Sequence, residues 1–188
     1  MSRGWPRAIE PPEAAGLPPR YAPAVELPSY RYVPGLFPHP TAHTEGHSFG
    51  RPEPEASSLP PDRWRDNLPY LHGVDLFNRR YYWEAHEAWE AFWHACDKAR
   101  TQGLFIQGLI QIAAALVRWH MGTERGVRKL YHEGRAKLER AAREAPADYM
   151  GLAVAAWLDE LDPIFERLLS VLETGDGDTE FPRIRLQL

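Results

Sequence analysis

The chain has 188 residues, a formal charge of −4 and 44% hydrophobic residues. That is enough apolar material for one ordinary domain plus an extension, and the charge excludes an electrostatic footprint suited to nucleic acid or an anionic membrane. The single cysteine, Cys96, excludes an intrachain disulfide.

No run approaches the roughly 18 apolar residues of a membrane span, and the opening residues lack the apolar stretch of a secretory signal. The expectation is a soluble, cytoplasmic protein. Fourteen of the 18 prolines precede residue 62. Proline removes a backbone donor and opposes helix, so residues 1–61 read as an extended arm. Tyr30, Tyr32, Val33, Leu36 and Phe37 give this arm more apolar surface than a solvated linker holds. Residues 28–50 are therefore expected to lie against the folded domain, and residues 1–20 to be loose.

From Asp62 the apolar spacing is helical. A first helix is expected over Asn67–Asn78 and a second over 80–98. Thr101 is the expected N-cap of a third helix over 102–121, ended by Gly122. Thr123 then caps a fourth that runs to about Glu144, and Pro146 separates it from a last helix over 148–172. Gly175 and Gly177 end that helix, and residues 175–188 form a tail able to dock as an extended segment. Short connections imply antiparallel neighbours. The fold class is all-α: an up-and-down helical bundle of about five helices over 62–174, with a Pro-rich N-terminal arm.

The second helix contains "YYWEAHEAWEAFWHA" from Tyr81. At about 100° per residue, Glu90 lies about 40° from His86 and Tyr82, Trp83 and Trp93 lie within about 60° of it. Glu87 falls at the edge of this stripe, and Glu84 points well away toward solvent. The reading places a His–Glu pair inside the most aromatic surface of the chain, facing inward. Burying either group unpaired costs several kcal/mol. Gln107 and Gln111, four apart on an otherwise apolar third helix, are the candidate partners across the bundle, although Arg118 on the same line points to the solvent side. Gly108 permits close approach of a neighbouring helix.

These same residues carry a resemblance. "FNRRYYWEAHEAWEAFW" followed by "QGLIQIAAALVRWHMGTERGVRKL" closely resembles the domain-of-unknown-function 309 family, over about residues 68–142. The resemblance implies a compact helical bundle and implies little about activity.

Two chemistries fit the pattern. His86 and Glu90 can share a divalent transition metal, with imidazole and carboxylate suiting zinc, iron or manganese. A third ligand must then come from elsewhere. His39, His43 and His47 of the arm, spaced by four, are the candidates if the arm folds over the bundle. The zinc-protease pattern fails because Glu90 stands at its second histidine, and a ferritin-like di-iron site fails because no histidine follows a glutamate by three. Alternatively, His86 beside Glu90 is an oriented base in a pocket walled by Trp83, Trp89 and Trp93. The same residues serve equally as a hydrogen-bonded core layer. "GTERGVRKLYHEGR" places Arg125, Arg128, Lys129 and Arg135 near a helix start, better read as a solvated face with internal acid pairs than as an anion site. The preferred reading is a small-molecule or partner-binding domain with His86, Glu87, Glu90, Gln107 and Gln111 as its polar cluster. The alternatives are a metal-dependent enzyme closed by the arm histidines and a homodimerising structural protein with Trp5 and Trp64 among its contacts.

Overall fold

Asn67 accepts the N–H of Tyr70 through its side-chain oxygen at 3.0 Å and so caps a helix with Pro69 in its first turn. The computed structural model describes residues 16–52, 59–177 and 179–187. In it a 3-10 turn, Pro61–Asp66, leads into this helix, α1 (Leu68–Asn78). Helices α2 (Tyr82–His94), α3 (Thr101–His120), α4 (Glu124–Glu144) and α5 (Val154–Thr174) follow. The fold is all-α, a bundle of five helices in which each packs on the next: α1 on α2, α2 on α3, α3 on α4 and α4 on α5. Among the described residues no helix is long and apolar enough to cross a membrane.

Local chemistry sets most helix ends. Gly122 and Gly175 take left-handed backbone at φ 69 and 76 and stop α3 and α5. Ala145, held extended by the proline after it, ends α4. The expected caps behave differently. Thr101 is itself the first residue of α3, and its hydroxyl donates to Glu144. Thr123 precedes α4, but its hydroxyl donates backward to the Arg118 carbonyl at 2.9 Å. The last helix begins at Val154 rather than 148. The residues before it form a two-stranded antiparallel hairpin, β1 (Asp148–Tyr149) and β2 (Leu152–Ala153), turned by Met150 and Gly151 at φ 51 and 81.

The core is aromatic where the first two helices meet and aliphatic at the centre. Trp89 of α2 is fully buried, and its indole N–H donates to the Tyr70 carbonyl of α1 at 3.2 Å. It occupies the space over Gly73, where an added Cβ would lie 2.2 Å from the indole nitrogen. Helix α3 is buried over most of its circumference. At Gly108 it approaches α4 so closely that a Cβ would meet Leu138 at 2.6 Å, the contact expected from the sequence. Arg135 binds Asp162 through two nitrogens at 2.7 and 2.9 Å and ties α4 to α5.

Two buried polar side chains of α1 attach the ends of the described chain. The Asp75 carboxylate, with no exposed surface, accepts the backbone N–H groups of Tyr21 and Ala22, each at 2.8 Å, beside Arg20 and Arg79. Asn78 donates to the Ile184 carbonyl at 2.8 Å and accepts the Ile184 N–H at 2.7 Å. The Leu186 N–H donates to the Tyr21 hydroxyl, and Phe181, Ile184 and Leu186 are buried. Residues 16–22 are thus anchored, where the sequence suggested a loose start; residues 1–15, Trp5 among them, lie outside the described residues. Trp64, which the sequence offered as a dimer contact, is buried and edge-on to Tyr70.

Candidate functional site

Tyr82, Ala85, Trp89 and Phe92 form the buried stripe of α2. His86 lies at its border, with its side chain 26% exposed, against 44% for Glu87 and 38% for Glu90. His86 Nδ1 is 3.2 Å from Glu87 Oε1, and Nε2 is 3.8 Å from Glu90 Oε2. His94, one turn further on, places Nε2 4.0 Å from Glu90 Oε1. The three residues His86, Glu87 and Glu90 bring one ligand atom each within 4.8 Å of one another.

The pairing read from the sequence is present, but its direction is not. The group faces outward, because the centre of the apolar stripe passes through Ala85 and Trp89 and leaves His86 on the flank. Gln107 and Gln111 do not meet it. Both are half-buried, and the Gln111 amide donates to Glu133 of α4 at 2.9 Å. Arg118, on the same line, is exposed and marks that line as the outer edge of α3. Trp83 and Trp93 are half-buried flanks rather than walls of an internal pocket. Trp83 packs against the rings of Tyr32 and His39 at 5.1 and 5.4 Å, and Lys98 stands 4.1 Å over Trp93.

The carboxylate that does turn inward is Glu84, which helical geometry alone assigned to solvent. Its side chain is 5% exposed, since the arm crosses the face it occupies. Glu84 Oε1 accepts the Tyr32 N–H at 2.8 Å and sits 3.1 Å from His47 Nε2. His47 Nδ1 is 2.9 Å from the Ser48 hydroxyl, and its ring lies 4.7 Å from Tyr30. Serine, imidazole and carboxylate stand here in the order of a hydrolytic relay. The imidazole, 7% exposed and walled by Tyr30, is committed to fastening the arm.

The other arm histidines are bound locally. His39 Nδ1 accepts the Ala42 N–H at 3.3 Å and His43 Nδ1 accepts the Glu45 N–H at 3.1 Å. None of His39, His43 and His47 contributes to the cluster at His86. Turns at 39–43 and 43–46 defeat the regular spacing, so the metal set imagined from sequence divides between two places. The signal for Glu84 and Asp75 was available in principle: each is an acid within a run otherwise rich in buried residues. What the helical wheel lacked was the arm.

The basic group of α4 resolves as acid pairs. Arg128 binds Glu124 at 2.6 Å and Glu173 at 2.7 Å, and Arg135 binds Asp162 and Glu139. The Arg135 guanidinium beside it holds the Asp162 carboxyl below its usual range.

No curated protein matches the chain. Residues 70–130 match a family model, a shorter stretch than the 68–142 suggested by the motifs. The match spans most of α1, all of α2 and α3 and the start of α4, and includes Asp75, Asn78, Glu84, His86, Glu87 and Glu90. Over these residues the chain is similar to the family described as Domain of unknown function (DUF309).

Proposed function

We propose that the chain is a binding protein rather than an enzyme, and that the α2 cluster of His86, Glu87 and Glu90 captures a divalent transition-metal ion. The observation that carries this reading is the convergence of an imidazole and two carboxylates within 4.8 Å on one helix face. Among the described residues neither Glu87 nor Glu90 is paired with lysine or arginine; their ion-pair partners are His86 and His94. Negative charge gathered about a histidine favours a cation, and mixed nitrogen and oxygen donors suit zinc, iron or manganese. Three ligands from one exposed helix leave further positions for water or for a donor from a bound molecule. The site then serves as a point of attachment rather than a closed structural centre.

Calorimetric titration of tag-free protein with zinc tests this. One ion per chain is expected, with affinity falling at least about tenfold in His86→Ala and in Glu90→Gln, in the range seen when a ligand's support is lost. The thermal midpoint in chelator should stay unchanged, because the replaced groups lie at the surface. Wild-type protein that takes up no zinc, or a His86→Ala variant that binds as tightly as wild type, removes the reading.

A further inference from the structure

Between α1 and α2 the chain turns through Arg80 at φ 65, a left-handed conformation. The Arg80 N–H donates to the Phe77 carbonyl at 3.0 Å and the Tyr81 N–H to the Leu76 carbonyl at 2.9 Å. This is the helix-ending arrangement in which glycine stands at the left-handed position, because a Cβ there is strained. An arginine is held at that strained position here, and its side chain supplies the reason. Such outliers are tolerated where the side chain has work that glycine cannot do.

The Arg80 guanidinium lies 4.4 Å over the ring of Phe181, and among the described residues it has no acidic partner. Arg31, 8% exposed, likewise has no ion pair among the described residues. Arg183 donates to the Gly16 carbonyl and, among the described residues, to no carboxylate. Burial pushes the pKa of the Tyr82 hydroxyl up, and the positive charges of Arg80, Arg31 and Arg183 oppose that push. Burial, and then the neighbouring cations, disfavour their own charge: Arg31 is lowered chiefly by burial and also by Arg80, and Arg80 chiefly by burial and also by Arg183. Glu84, an acid whose charge acts on Arg31, is already engaged with Tyr32 and His47.

Two more groups wait at the same place. The Tyr82 hydroxyl and His120 Nδ1 are both buried without a hydrogen-bond partner among the described residues, in residues 2% and 4% exposed. Their rings stack with each other and pack against Phe181, beneath Arg80. Phe181 also lines a cavity of about 170 Å³, together with Asn78, Arg80 and Arg183 among others. It has room for several waters or one tetrahedral anion. The one carboxylate in its wall, Glu180, is turned to Arg167 at 3.6 Å. Helix α2 starts at this point with no side chain capping its first turn, so its free N–H groups add positive potential.

We propose that Arg80 and Arg183, which share the wall of this cavity with Asn78, form a binding site for a phosphate group, free or carried on a small phosphomonoester. Guanidinium is the cation suited to phosphate, since its planar N–H donors match two oxygens at once. A dianion would offset the mutual repulsion of the two arginines. This site is separate from the His86 cluster and does not depend on it.

The test is thermal unfolding in inorganic phosphate and in glycerol phosphate, each matched in ionic strength by sodium chloride. A saturable rise in midpoint with phosphate, absent with chloride, is expected. The stronger response identifies the free ion or the monoester as the preferred form. Arg80→Gly discriminates binding from packing. Glycine relieves the left-handed backbone, so in chloride the variant should be as stable as wild type or more so. Its half-saturating phosphate concentration should nevertheless rise at least about tenfold, as expected for loss of a charge-assisted contact. A wild-type midpoint that responds to phosphate and chloride alike overturns the proposal, as does an Arg80→Gly variant that keeps the full response.

Discussion

His120 closes α3 among Tyr82, Trp119 and Phe181, and the guanidinium groups of Arg31 and Arg80 act on it. Burial first, and then those two positive charges, lower its pKa from 6.5 to about 3. In the unfolded chain the imidazole takes up a proton near 6.5, whereas the folded protein excludes it until about pH 3. Because the folded value is the depressed one, stability is fully present above 6.5 and declines as pH falls from 6.5 toward 3. Each pH unit in that window costs about 1.4 kcal/mol, or about 2 kcal/mol by pH 5. That is a substantial part of the roughly 5–15 kcal/mol that holds a domain of this kind together.

Urea denaturation in chloride buffer at pH 7.5 and pH 5.0 measures it, with His120→Phe as the comparison. Phenylalanine preserves the ring stack and removes the titration. At a urea slope of about 2 kcal/mol/M, wild type should lose about 1 M in midpoint on acidification, and the variant distinctly less. His72, lowered chiefly by burial, acts in both proteins and cancels in the difference. An equal loss in the two, or no loss in wild type, would refute the reasoning.

Asn78→Ala leaves Ile184 with an unpaired N–H and carbonyl in a buried setting and should lower stability by about 2–3 kcal/mol. Faster tryptic cleavage after Arg183 and Arg185 would report the released tail. Asp75→Asn replaces a carboxylate that accepts two arm N–H groups and faces Arg20 and Arg79. About 2–4 kcal/mol should be lost from the arm's attachment, seen as faster hydrogen exchange at Tyr21 and Ala22 with helical content unchanged. Equal exchange in the two proteins would place the anchor elsewhere.

The helices were legible because their signals are local. Apolar spacing located α1, α3 and α4 to within a residue or two, and Gly122, Pro146 and Gly175 marked real ends. The hairpin at Asp148–Ala153 was not legible, since its turn places Met150 in left-handed backbone, where sequence favours Asn, Asp or Gly. The candidate site divides in the same way. That His86 and Glu90 share a face follows from the helix alone. Which way that face looks depends on what covers α2, and here part of the cover is an arm without regular structure. Glu84 and His47 are 37 residues apart and meet only through that arm. The arginine cluster was hidden more thoroughly: Arg31, Arg80 and Arg183 come from arm, turn and tail, and no periodicity relates them.

The seam between Tyr21 and Leu186 also orders events during synthesis. Residues 165 positions apart must meet to close it, so it cannot form until Leu186 has left the ribosome. The hairpins of α1 with α2 and α3 with α4 need only neighbouring sequence and can assemble while translation continues. During that interval part of the surface of α1 stands bare, with Asn78 lacking its partner Ile184. A nascent chain stalled before Phe181 should therefore hold a helical nucleus that chaperones still recognise as unfinished.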